Sequence, residues 1–204
     1  MIETEVIENF LTNEEVDYIN SVLTLEVMQS LGRTVQRDSS TYYLVTDEIT
    51  DLLLNKIEKL PNEQLFIRVL DCYDPAGSHS DTSPGAASGD QYQPTKFART
   101  IIIPMGDYDS NTIVFDQTLP LGENALEYIK TLPSFSPPKI NQTTYDEYLT
   151  HLPHYHKNKL SIDTIFPWKK GSMLIFDRNR LHCSDNFLAR NMITKRGFVI
   201  WTEV

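Results

Sequence analysis

Two side chains able to ligate a metal, His79 and Asp81, stand one residue apart in the stretch YDPAGSHSDTSPGAASGD, residues 73–90. The rest of that stretch is the Gly, Ser, Pro and Asp of which surface loops are made. A lone His-x-Asp in such a setting is more often a surface accident than a ligand pair. A metal site needs a third ligand, and His182 supplies one about a hundred residues further on, in WKKGSMLIFDRNRLHCSDNF. There Lys169–Gly171 reads as a turn, Ser172–Asp177 as a buried strand, and His182 as part of the polar loop that follows. If the backbone beyond Cys72 is extended, residues two apart point to one side, so His79 and Asp81 converge while Ser80 faces away. Two imidazoles and a carboxylate on one face of a metal leave the other positions open. That donor set suits non-haem Fe(II), which binds a cosubstrate and O2 at those positions. Zinc can use the same ligands, usually in a tetrahedral site with a bound water.

Side chains so far apart in sequence must be brought together by a scaffold. From Pro61 onward the chain is a succession of short β-rich runs: QLFIRVLDCY (64–73), FARTIII (97–103), NTIVFD (111–116), SIDTIF (161–166), SMLIFD (172–177) and RGFVIWTEV (196–204). Turn-rich pieces such as PMGDYDSN and PWKKG separate them. The first third differs. Thr12 followed by Glu15 is a capping-box pattern, and Val16, Ile19, Val22 and Leu23 then recur at helical spacing. A second helix is expected from Thr46, with Asp47 and Glu48 in its first turn, Ile49, Leu52, Leu53 and Ile57 on one face, and Pro61 closing it. STYYLV between them reads as a short strand. Residues 119–159, with Pro133, Pro137, Pro138 and Pro153, read as an insertion carrying one or two short helices. The fold class is therefore mainly β with flanking helices (α+β), a sandwich or barrel buttressed by N-terminal helices, in one domain over 1–204 with its buttress in 1–61 and its core in 62–204.

Composition removes several classes of function. Hydrophobic residues make up 40% and charged residues 23%, which describes a globular chain able to bury a core. The formal net charge of −10 argues against a general affinity for nucleic acid phosphate. No run reaches the roughly 20 apolar residues of a membrane span, and MIETEVIENFL lacks the basic and apolar regions of a signal peptide. Two cysteines, Cys72 and Cys183, do not make a disulfide framework, so a cytoplasmic location is expected.

From about Leu65 to Thr202 the sequence resembles the Fe(II)- and 2-oxoglutarate-dependent oxygenases, especially the small prolyl-hydroxylase-like members. The resemblance rests on CYDPAGSHSD, TIFPWKKGSMLIFDRNRLHCSDNF and TKRGFVIWT. It implies a distorted double-stranded β-helix (a jelly-roll barrel) with iron held in one mouth by His79, Asp81 and His182. It also implies a basic residue on the strand after the distal histidine to pair with the far carboxylate of 2-oxoglutarate. Lys195 and Arg196 are adjacent there, and strand parity lets one face inward. Gly197 and Val199 follow Lys195 at spacings of two, as small residues beside a cosubstrate would, whereas Phe198 and Ile200 follow Arg196 and suit a packed side. Lys195 is thus expected to bind 2-oxoglutarate, with Arg196 the alternative. Tyr73 matches a tyrosine that some members place near the cosubstrate; an aromatic at a strand end serves as well. The tyrosine such members carry on the strand read as ARTIIIP is missing here, where Thr100 could offer its hydroxyl.

The implied activity is hydroxylation of an unactivated C–H in a small metabolite, amino acid or peptide side chain, with O2 consumed, succinate and CO2 released, and ascorbate as a stimulant. Halogenating relatives have a small residue at the position of Asp81, so hydroxylation, demethylation or desaturation is favoured over halogenation. Two other classes fit the same residues: a cupin-like metal-dependent isomerase, and a non-catalytic jelly-roll binding module. Two further features have plainer readings. HLPHYH, with His151, His154 and His156, reads as a solvated or lid segment, because it has no acidic or cysteine partner at a recognised spacing. Cys72 and Cys183 read as small buried side chains. The loop Thr82–Lys96 and the insertion are expected to order when cosubstrate and substrate bind.

Overall fold

The computed structural model describes residues 2–31, 35–36, 39–81, 98–120 and 122–203; the loop Thr82–Lys96 lies outside them. The chain begins with β1 (Glu5–Ile7), α1 (Asn13–Val22), α2 (Leu25–Ser30), β2 (Val35–Gln36), β3 (Ser40–Tyr43) and α3 (Asp47–Leu54). The side chains of Thr12, Thr24 and Thr46 each accept a backbone N–H of the first turn, and Thr12 with Glu15 completes the capping box. The helix begun at Thr46 ends at Leu54, well before Pro61, and Ile57 is buried just beyond it. Next come β4 (Gln64–Cys72), β5 (Arg99–Pro104) and β6 (Asn111–Thr118). The insertion carries three short helices, α4 (Ala125–Thr131), α5 (Gln142–Tyr148) and α6 (His156–Lys159). Asn124 and Asn141 cap the first two of these with their side chains. The chain then closes with β7 (Ile162–Pro167), β8 (Met173–Asp177), β9 (Arg180–Ser184) and β10 (Lys195–Glu203).

The strands form two antiparallel sheets. The larger has the order β1-β8-β5-β10-β4-β3-β2 and the smaller β7-β6-β9. A bridge between His79 and His182 adds the segment after β4 to the free edge of β9. The sheets pack face to face through Ile102, Val114, Phe166, Trp168, Leu174 and Phe176. Strand alternation then sends the intervening residues outward. Ile101, Ile103, Met173, Phe198 and Ile200 of the large sheet pack under α1, α2 and α3. Ile113, Phe115, Leu181 and Cys183 of the small sheet pack under the insertion's Ile129, Tyr145 and Leu149. Both outer faces are thereby covered, and the space between the sheets opens into one cavity of about 340 Å³. No helix among the described residues is long and apolar enough to cross a membrane.

Candidate metal centre

His182 is not in a loop. It is the middle residue of β9, where Arg180–Ser184 is buried throughout, and β9 follows β8 after only Arg178 and Asn179. A crossing that tight from the large sheet to the small one, written Asp-Arg-Asn-Arg, carries no Gly or Pro and so reads as a polar loop. On β9, His182 and Ser184 line the cavity. His79 meets His182 through reciprocal backbone hydrogen bonds of 3.0 and 2.8 Å, which fixes the two ring positions. Their ring centroids lie 4.3 Å apart.

Ligand atoms of His79, Asp81 and His182 all fall within 4.8 Å of one another, and His182 Nε2 is 3.8 Å from Asp81 Oδ2. Each imidazole is oriented by a backbone carbonyl: His79 Nδ1 lies 2.7 Å from Gly77 O, and His182 Nδ1 lies 3.1 Å from Arg180 O. A carbonyl accepts only, so Nδ1 donates in both rings, which leaves Nε2 as the atom each ring would offer to a metal. Thr100 donates its hydroxyl to Asp81 Oδ2. Burial, with His79 nearby, pushes His182 down to about 4, so it is neutral at pH 7. Burial works to raise Asp81, but the two imidazoles and Thr100 outweigh it and hold the carboxyl below its usual value. Two imidazoles beside a carboxylate, with their Nδ1–H groups held from behind, are the donor set of a two-histidine, one-carboxylate site. These residues fit a divalent metal.

Lys195 lies on another wall of the same cavity and is 1% exposed. Its Nζ donates to Ser110 Oγ and Ser184 Oγ, both at 2.8 Å, and sits 4.0 Å from the ring centre of Trp168. Among the described residues no carboxylate touches it. Burial pushes its pKa down to about 8. Arg196 points the other way: it grips its cross-strand partner Asp71 with Nε and a terminal nitrogen at 2.6 and 2.7 Å. Gly197 lets the large sheet come close to Trp168, since a Cβ there would lie 2.9 Å from Ile103 O and 3.1 Å from the indole. Tyr73 lies just past β4 and is not among the residues lining the cavity; its hydroxyl is 3.3 Å from Thr41 Oγ1.

No protein-family model matches the sequence, and no curated protein matches it. Solved structures do. The non-haem alpha-ketoglutarate-dependent carbocyclase SnoK of nogalamycin biosynthesis aligns with a TM-score of 0.61 at 14% identity, over 98% of this chain and 80% of that one. The epimerase SnoN of the same biosynthesis, also alpha-ketoglutarate-dependent, gives 0.60 at 12% identity, over 98% and 76%. HygX from Streptomyces hygroscopicus, with nickel and 2-oxoglutarate bound, gives 0.53 at 13% identity, over 98% and 82%. The chain has the fold of the iron- and 2-oxoglutarate-dependent oxygenases.

On this oxygenase fold two features depart from the sequence reading. HLPHYH is solvated only in part: Pro153 and His154 are exposed, but His156 is fully buried, with Nδ1 3.4 Å from the hydroxyl of Ser78, the residue before His79. Burial and the neighbouring His151 push His156 down to about 4. The run forms the support behind the His79 loop, and it looked solvated because helices of four to seven residues, whose core is shared with the small sheet, leave little periodicity. Ser80, expected to face away from His79 and Asp81, is fully buried and also borders the cavity. The residues holding Lys195 were also missed. Ser184 could have been found, because two residues past His182 on a strand means the same face. Ser110 has no sequence signal, since it ends a loop before β6.

Proposed function

We propose that the protein is a 2-oxoglutarate-dependent oxygenase that uses one Fe(II) held by His79, Asp81 and His182. The observation that supports this best is Lys195, a fully buried cation on the wall of the cavity that holds the triad, with no carboxylate in contact with it among the described residues. An uncompensated buried charge costs several kcal/mol, so an arriving anion is favoured there, and a diacid would satisfy both the cation and a metal. The strand order, with the His79 segment joining the edge of the small sheet, supports reading the fold as a distorted double-stranded β-helix.

Bound Fe(II), with 2-oxoglutarate and O2, supplies the oxidising power to attack an unactivated C–H. The chain's residues do the rest. Lys195 holds the far carboxylate, with Ser110 and Ser184 fixing the direction of its Nζ. Thr100 fixes Asp81, and the Gly77 and Arg180 carbonyls fix the two imidazoles. Ile102, Val199 and Trp168 line the cavity between these groups and exclude water. Hydroxylation of a small metabolite, amino acid or peptide side chain is the outcome proposed; solved neighbours named as an epimerase and a carbocyclase have the same scaffold, so substrate placement decides the product. The test is succinate formation from 2-oxoglutarate with Fe(II), O2 and ascorbate across amino acids, small metabolites and peptides. Substrate-stimulated succinate supports the reading, and metal binding without any succinate release turns it toward an isomerase.

A further inference from the structure

The inner face of the large sheet carries a second set of unmet hydrogen-bond donors, far from Lys195. On β4, Cys72 and Leu70 line the cavity, and strand alternation puts Arg68 next on the same face. Arg68 pairs in register with Val199, another lining residue. It is partly buried, and among the described residues it makes no ion pair; its guanidinium donates to the carbonyl of its own neighbour Ile67 at 2.8 Å. Burial pushes it below its ordinary pKa and nothing opposes that shift. For an unneutralised arginine in a chain of net charge −10, that is notable.

Two residues beyond Val199 stands Trp201, 5% exposed, lining the cavity with its Nε1 buried and without a partner among the described residues. Arg68 and Trp201 are therefore diagonal neighbours on one face of adjacent antiparallel strands, about 7–8 Å apart at the backbone and within mutual reach of long side chains. Tyr42 leans over from β3, its ring 5.6 Å from Trp201. On its other side Trp201 pairs with Thr100, whose hydroxyl holds Asp81. The cosubstrate end is elsewhere: Val199 lies four residues from Lys195, about 13 Å along the strand.

Resting on the oxygenase reading of this cavity, we infer that the primary substrate carries an anionic group, a carboxylate or phosphate, received by Arg68 and the indole N–H of Trp201. Its organic body lies against the rings of Tyr42 and Trp201, which holds it one side chain away from the metal ligands. The site thus separates two anions, the cosubstrate's at Lys195 and the substrate's at Arg68. An arginine at the second position offers a two-pronged donor that a lysine would not.

Phenylacetate and its neutral isostere phenylacetamide probe this in the full chain loaded with Mn(II), by calorimetry, with 2-oxoglutarate binding measured separately in the same proteins. Phenylacetate is expected to bind at least about tenfold more tightly than the amide, and Arg68→Gln to remove that preference. Arg68→Met, which keeps the aliphatic stem, serves if Arg68→Gln does not fold. Trp201→Phe is expected to weaken phenylacetate by severalfold. Equal binding of acid and amide, no binding of the acid, or an acid preference that survives loss of Arg68 overturns the inference. So does a preference lost in Lys195→Ala instead, which would place the probe at the cosubstrate end. Failure of 2-oxoglutarate to bind would strike the oxygenase reading and is read independently of these results.

Discussion

The two faces of the large sheet are made by the same strands and have opposite characters. On the face toward the helices every demand is met within the protein: Phe198 and Ile200 are completely buried under α1–α3, and the charge of Arg196 is matched by Asp71. On the face toward the small sheet demands are left open. Among the described residues Lys195 has hydroxyls but no counter-ion in contact, Trp201 has a buried N–H without an acceptor, and Arg68 has no carboxylate. One-residue alternation along β10 separates the two characters. The lesson is that a ligand site shows itself less by which polar residues are buried than by which of them lack partners.

That contrast can be broken at several points. The largest effect is expected at the metal end of the inner side. Outer hydrogen-bond partners of a metal ligand are worth about 10–100-fold in affinity, so loss of a ligand itself in His182→Ala should exceed that range; anaerobic Fe(II) calorimetry reads it. Undiminished metal binding would remove the triad from the account. Next is Phe198→Ala on the outer face, expected to cost about 3–5 kcal/mol in urea unfolding. The metal affinity of its folded fraction should not change, and a variant that loses metal while staying equally stable would erase the division of labour. A smaller, graded effect is expected from pH. On the proposed reading the cationic form of Lys195 receives the carboxylate, and burial pushes the free side chain down to about 8. The affinity for 2-oxoglutarate should therefore be level below that pH and fall above it, by up to about tenfold per unit. A level affinity through pH 9 would mean that the cation is not Lys195.

Much of this was legible in the residues. Thr12 and Thr46 mark helix starts because a capping side chain leaves a local signature. The alternation of Gly197 and Val199 against Phe198 and Ile200 shows which of two adjacent basic residues turns inward. His79 and Asp81 were visible by spacing. What stayed hidden depends on tertiary contact: β9 was obscured by a two-residue polar crossing, Arg178 and Asn179, and the burial of His156 by helices whose core is supplied by the small sheet. The pairing of Arg196 with Asp71 needs the β4–β10 register, and the partnership of Ser110 with Lys195 crosses between sheets; neither leaves a trace in local sequence.

The central claim is that one cavity binds 2-oxoglutarate between a metal on His79, Asp81 and His182 and the ammonium of Lys195. Calorimetric titration of 2-oxoglutarate into Mn(II)-loaded wild type, Lys195→Ala and Arg196→Ala tests it most directly. The expected result is metal-dependent binding in the wild type, weakened by at least about tenfold in Lys195→Ala and much less affected in Arg196→Ala. Binding lost in Arg196→Ala and kept in Lys195→Ala, or no metal-dependent binding in the wild type, would contradict it.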